Sequence, residues 1–309
     1  MLDLGFPVMG VVVMVSLMAI SIGIDFFGHK DKHTMGFKEA SLWSVGWVAI
    51  AIAYGFFIKA WYGEEASSLY FSGYALEKAL SVDNLVVFTA IFASFGIKCQ
   101  ATQHRILLWG IAGALIFRGI FVAAGTELFN LHWGIQVAFA IIVAWSAKAV
   151  LFEDDDDTKD YSNHFAVRLV RKFYPVAVSY KGDRFFTVIK SVKYATPVLL
   201  CMIVVELSDV LFSFDSVPAV IGVTQEPFLV YACMIFAILG LRALYFVLNA
   251  LLSKLQYLKY AVAALLVFVA AKLAMGAFGV HIDPTLSLYF VLGTLSLGVI
   301  SSAFAPKEQ

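Results

Sequence analysis

The chain has 309 residues, 61% of them hydrophobic and only 14% charged, far more apolar than the roughly 45–50% of ordinary soluble domains. Such a composition excludes a soluble globular enzyme and predicts an all-α polytopic membrane protein. Its 22 basic and 22 acidic residues give a formal net charge of zero, which excludes a global bias towards nucleic acid and leaves the information in where the charges sit.

A bilayer core needs about 20 apolar residues per helix. That ruler predicts nine spans, at 7–27, 39–61, 69–95, 104–124, 131–152, 196–222, 227–249, 257–277 and 284–304. The first run has no positively charged n-region and no small-residue cleavage site before Asp25, so it reads as a span and not as a removable signal peptide. Lys30, Lys32 and Lys38 follow span 1, Lys98 and Arg105 lie between spans 3 and 4, and Lys254 and Lys259 lie between spans 7 and 8. The alternate loops carry Glu64, Glu65, Glu127, Glu226 and Asp283. Because Lys and Arg favour the cytoplasmic side, the N-terminus is predicted outside and the C-terminus inside. Asp25 then lies at the cytoplasmic end of span 1, at an entrance or as a cap.

Span 3 contains GYALEKALSVDN at 73–84, and span 6 contains VVELSDVLFSFDSVPA at 204–219. A charged side chain at the bilayer centre costs roughly 2.5–3.5 kcal/mol on insertion scales, so these acids ask for a reason. Between the two lies the long connection 153–194, predicted cytoplasmic, which opens with five acids from Glu153 to Asp157 and is otherwise basic. Phe165 to Tyr174 reads as a short amphipathic helix, and Arg184 to Val192 as a small hairpin. Cys99, Cys201 and Cys233 have no metal-ligand spacing and read as buried small hydrophobes.

Aligning Glu77 with Asp209 brings Asp83 onto Asp215 and Asn84 onto Ser216; Arg118 then corresponds to Arg242, and Lys148 to Lys272. Repeat A (about 69–152) and repeat B (about 196–277) are thus expected to be two copies of one three-helix unit. An odd number of helices inverts the second copy, as in secondary transporters whose sites lie near the midplane. Spans 7–27, 39–61 and 284–304 are accessory to this core, and the whole chain is one transmembrane domain.

On an ideal helix six residues place Glu77 and Asp83 about 120° apart, so their convergence requires a break. Pro218 supplies a reason for one in repeat B, since it leaves the carbonyl of Phe214 unpaired. The donors on offer, from Glu77, Asp83, Asn84, Asp209, Asp215 and Ser216, are all oxygens, which suit Mn²⁺, Ca²⁺ or Mg²⁺ better than soft metals. Glu206, three residues before Asp209, joins this set. Glu77, Asp83, Glu206, Asp209 and Asp215 outnumber Lys78, Arg118 and Arg242 by two charges, which one divalent cation would neutralise. Arg118 and Arg242 read as counter-ions that release when the site opens, Lys78 as an internal substitute cation, and Lys148 and Lys272 as side chains that snorkel to the interface.

The stretches YALEKALSVDN (74–84), YATPVLL (194–200), VELSDVLFSFDSVPAV (205–220), AILGLRALYF (237–246) and LKYAVAALLVFVAAKL (258–273) resemble the TerC/Alx family of bacterial integral membrane proteins. The resemblance implies membership of a LysE-like exporter superfamily and, for Alx-like members, Mn²⁺ efflux with the motif acids as ligands. It carries over Glu77, Asp83, Asn84, Asp209, Asp215 and Ser216, with Glu206 and Asp25 also at family positions. The family is named for tellurium resistance and alkaline induction; tellurite is an anion that a carboxylate-lined site would repel, so the tellurium name records a phenotype.

These readings converge on a non-enzymatic exporter of Mn²⁺, or of Ca²⁺, in the cytoplasmic membrane, with no permanently bound cofactor and proton antiport as one means of coupling. Its partners would be the metal substrate and the lipid bilayer, with no nucleic acid; a homo-oligomer or a second membrane protein stays open. Two rival classes remain: a structural or insertion partner in a membrane stress complex, and an intramembrane aspartyl enzyme, against which the absence of a Gly-x-Gly-Asp element speaks.

Overall fold

The computed structural model describes residues 7–27, 36–131, 133–152, 167–168, 171–172, 175–177, 184–189, 191–251, 257–280 and 282–303; within these, side chains 25–27, 82, 83, 86, 112, 130, 146, 149–152, 215, 249–251, 258, 259, 284 and 303 lie outside the described set. The elements run α1 (Val8–Phe27), α2 (Phe37–Ser94), α3 (Gln100–Leu131), α4 (Trp133–Phe152), β1 (Phe186–Ile189), β2 (Val192–Ala195), α5 (Pro197–Thr224), α6 (Pro227–Ile238), α7 (Leu241–Leu251), α8 (Leu258–Ala277) and α9 (Pro284–Ala303). Among the described residues, five helices are long and apolar enough to cross a membrane, or six if α6 and α7, bent by 48° at their junction, count as one span. Large apolar side chains such as Leu42, Trp145 and Leu297 point outward as well as inward, the surface expected of helices solvated by lipid.

Helix α2 is two legs. Gly63, at φ 91° and ψ 175°, interrupts it in a conformation that favours glycine. On a straight helix Ala51 and Tyr70 would stand about 28 Å apart at 1.5 Å per residue, yet the Tyr70 hydroxyl donates to the Ala51 carbonyl at 3.0 Å. Ser67 likewise donates to Gly55 at 3.1 Å, so the legs fold back on one another. The sequence-predicted spans 39–61 and 69–95 fall on these two legs.

The legs of α2 pack against α5, α6 and α7, while α3 lies along α5 and α4 along α8. Small residues permit the close approaches, as interhelical packing in lipid requires: the Tyr231 hydroxyl reaches the Gly119 carbonyl at 2.7 Å, and Gly73 lies against Cys233. Between α6 and α7, Gly240 takes a φ of 82°, and a side chain there would run into Trp47. The chain therefore breaks at this point and not in α5, which continues as one helix through Pro218. The unwound segment expected beside Asp215 is absent, and α2 is likewise unbroken from Glu77 to Asp83.

The hairpin is present, with Ile189 opposite Val192 and Phe186 opposite Ala195, so its second strand ends three residues beyond the expected limit. Of the expected helix from Phe165 to Tyr174, residues 167–168 and 171–172 are helical and the rest lie outside the described set, as does the acidic run 153–157. Cys201 and Cys233 are buried as expected, but Cys99 is exposed. Asp283 caps α9, accepting from the backbone N–H groups of Thr285 at 2.8 Å and Leu286 at 3.2 Å. Those bonds, Leu286 foremost, hold its carboxyl below the usual range.

Candidate ion-binding site

Near the middle of the bundle three charged side chains from three helices meet. Arg118 of α3 is 2% exposed, Glu77 of α2 is 0% and Asp209 of α5 is 6%. The arginine grips Asp209 with two nitrogens, Nη2 to Oδ1 at 3.0 Å and Nε to Oδ2 at 3.4 Å, and gives Nη1 to Glu77 Oε1. This fork is the geometry in which guanidinium binds carboxylate most strongly. Two carboxylates nevertheless share one cation, and Glu77 Oε2 is buried with no hydrogen-bond partner. A buried acceptor left in that condition costs about 1–3 kcal/mol, more when charged.

Local sequence holds each acid in the same way. The Ser81 hydroxyl donates to the Glu77 carbonyl at 2.7 Å, and the Ser213 hydroxyl donates to the Asp209 carbonyl at 2.9 Å. Serines four residues on return a bond to the preceding turn and bend a helix without breaking it. Ser213 escaped the sequence analysis, although the alignment that pairs Glu77 with Asp209 also pairs Ser81 with Ser213.

A narrow cleft, with about 20 Å³ of room for water-sized groups, opens on one side of this cluster, lined among others by Leu85, Phe88, Gly110, Glu206, Asp209 and Arg242. Its walls come from the stretches of α3 and α5 that precede Arg118 and Asp209, from α2 beyond Glu77 and from the junction of α6 and α7, so Asp209 stands on its floor. On the opposite side of the cluster Tyr70, Tyr74, Val217 and Val220 are buried in a continuous apolar core. The Glu206 carboxylate lies flat on α3, 3.6 Å from where a side-chain carbon on Gly110 would stand. A side chain at Gly113 would overlap that carboxylate outright. Gly113→Val is therefore expected to displace Glu206 into the cleft and to destabilise the protein by about 1–3 kcal/mol, which thermal unfolding of the purified protein in detergent would register.

Other predicted residues fall into place less uniformly. Asn84 is half-buried on α2, and the Ser216 hydroxyl on α5 is buried without a hydrogen-bond partner. Asp25, Asp83 and Asp215 have helical backbone, and their side chains lie outside the described set. Among the described residues no group of three or more His, Cys, Asp or Glu side chains forms a metal cage. Lys78 does not stand in for a bound ion: its Nζ donates to the Ala237 carbonyl at 3.1 Å, at the C-terminal end of α6 where the break frees acceptors. Lys272 does not snorkel either. It is buried, donating to the Val223 carbonyl at 3.0 Å and to Ser287 Oγ at 3.2 Å, and so ties the end of α5 to α9; Lys148 is exposed. Arg242 is buried on α7 with Nη1 2.5 Å from His104 Nε2.

Residues 62–309 match the family model described as integral membrane protein TerC family. The chain is 47% identical to the tellurium resistance protein TerC of Serratia marcescens, over 99% of this chain and 96% of that one. It is 38% identical to the chloroplastic thylakoid membrane protein TERC of Arabidopsis thaliana, covering 91% of this chain and 71% of the other. With Alx of Salmonella typhi, named as a proposed membrane-bound redox modulator, it shares 34% identity over 97% and 94% of the two chains. No solved structure matches it significantly.

Proposed function

The chain belongs to the integral membrane protein TerC family, and on that premise we propose that it is a carrier, not an enzyme, that exports divalent metal ions, Mn²⁺ foremost, from the bacterial cytoplasm. One observation carries the reading: acids at equivalent places in two copies of a motif, on different helices, meet on one guanidinium at the floor of a cleft. Ion pairing that served only to lock helices together would not need a second carboxylate with an orphaned oxygen.

Nine spans follow if α1, the two legs of α2, α3, α4, α5, the bent pair α6 and α7, α8 and α9 each cross once. The contacts suit two inverted repeats, because they exchange under a twofold relation: the second helix of repeat A lies on the first of repeat B, the second of B on the first of A, and the two third helices on each other. With Lys and Arg loops placed inside, the cleft faces the cytoplasm and the packed side faces out, an inward-open arrangement. A cation entering the cleft meets Glu206, then Asp209, and must displace Arg118 from the carboxylates it holds. Asp83, Asn84, Asp215 and Ser216 complete the oxygen set as the repeats rock to the outward-open state, where protonation of the acids releases the ion and couples export to proton entry.

The test is metal-dependent flux in proteoliposomes carrying a pH gradient, with Mn²⁺, Ca²⁺, Mg²⁺ and Zn²⁺ compared side by side. Flux of Mn²⁺ that depends on the gradient and fails in Asp83→Asn and Asp215→Asn is expected. Equal flux in those variants and the parent would contradict the carrier.

A further inference from the structure

We propose that the β1–β2 hairpin is a membrane-surface anchor whose apolar tip seats in the headgroup layer of an anionic leaflet, on the face of the bilayer where α5 begins. The turn itself, Lys190-Ser191, is polar, with Ser191 at a φ of 65°, but the strand ends that flank it are not: Val188, Ile189 and Val192 are 70%, 42% and 48% exposed. Ile189 faces Val192 directly across the ladder, so the tip presents a paired apolar surface.

The base of the hairpin fixes its depth. The Phe185 ring meets Trp109 of α3 edge-on with centroids 6.4 Å apart, and the Arg105 guanidinium sits 5.0 Å from the centre of the same ring. Trp109 is half-exposed on the helix surface, and Trp and Arg near the end of a spanning helix mark the headgroup level. Only Thr196 separates β2 from α5. Its hydroxyl donates to the Arg184 carbonyl at 2.7 Å and accepts from the Leu199 N–H at 3.4 Å, and Val176 bridges to Ala195 on the other side. Held at both ends, the hairpin stays at interfacial depth.

Charge names the occupant. Residues 184–196 contain Arg184, Lys190 and Lys193 and no acid; Arg184 and Lys193 are exposed, and Arg105 stands beside the base. Apolar side chains ringed by cations fit acyl carbon under anionic headgroups, and each basic residue brought to such a surface strengthens binding by about fivefold.

The full-length chain carrying Cys99→Ser and Val188→Cys, labelled with an environment-sensitive dye and reconstituted at one copy per nanodisc, tests this. In discs containing phosphatidylglycerol, iodide quenching is expected to be several-fold weaker than for free dye, and nitroxide lipid should quench instead. Zwitterionic discs, or Arg184→Glu with Lys193→Glu, should restore iodide access. Iodide access equal to that of free dye in anionic discs would overturn the anchor; so would protection that arises only at two copies per disc, which would mean that a second chain covers the tip, or protection indifferent to lipid charge.

Discussion

Asp209→Asn is expected to abolish divalent-ion flux, and Glu77→Gln to do the same, while the two differ in their effect on stability. Removing one charged partner of a desolvated pair costs roughly 2–5 kcal/mol, and at 1.4 kcal/mol per tenfold the midpoint corresponds to about 300-fold in ion affinity. Stability separates the variants because Arg118 holds Asp209 by two bonds and Glu77 by one. In Asp209→Asn the arginine loses its fork, and a loss of about 3–5 kcal/mol is expected. In Glu77→Gln the bidentate pair survives and an excess buried charge disappears, so the thermal midpoint should stay near that of the parent. Flux assays and thermal unfolding on the same preparations decide the matter. A Glu77→Gln protein that transports normally would show that the acids serve only to hold helices together.

Much of this arrangement was legible in the sequence because membrane burial makes charge expensive and therefore conspicuous. Glu77, Asp209 and Arg118 stand out against long apolar runs, and the matching order of acids and bases in two segments pointed to the pairing of Glu77 with Asp209 before any geometry. The helix break was misplaced for a local reason. Pro218 removes one backbone donor, but a helix packed on several sides keeps its course, and the chain bends where Gly240 offers a positive φ and where Trp47 leaves no room for a side chain. Lys272 and Lys148 occupy equivalent places in the sequence, yet one is buried and one exposed, and the buried one donates to the Val223 carbonyl in the last turn of a neighbouring helix. Gly113 as the seat of Glu206 was invisible, since a glycine in an apolar run carries no sign of what lies above it.

Arg118→Gln gives the sharpest separation between a carrier and a static clamp. In the parent, the guanidinium neutralises part of the charge on Glu77 and Asp209 whenever no ion is present. Without it two carboxylates face each other in a buried site, and the ion-free protein is expected to lose about 3–5 kcal/mol of stability. A divalent ion supplies the missing charge. At a concentration one hundred times its dissociation constant it should return about 2.7 kcal/mol, so Mn²⁺ should raise the thermal midpoint of Arg118→Gln much more than that of the parent, in which the ion must first displace the arginine. Turnover should fall in the same variant, because an ion bound without a competing cation leaves slowly. Arg242→Gln, whose arginine contacts His104 and not the shared pair of acids, should show neither the metal-dependent rescue nor the trapping. If Arg118→Gln unfolded at the same temperature with and without Mn²⁺ and carried the ion at the parental rate, the guanidinium would not be occupying the ion's place.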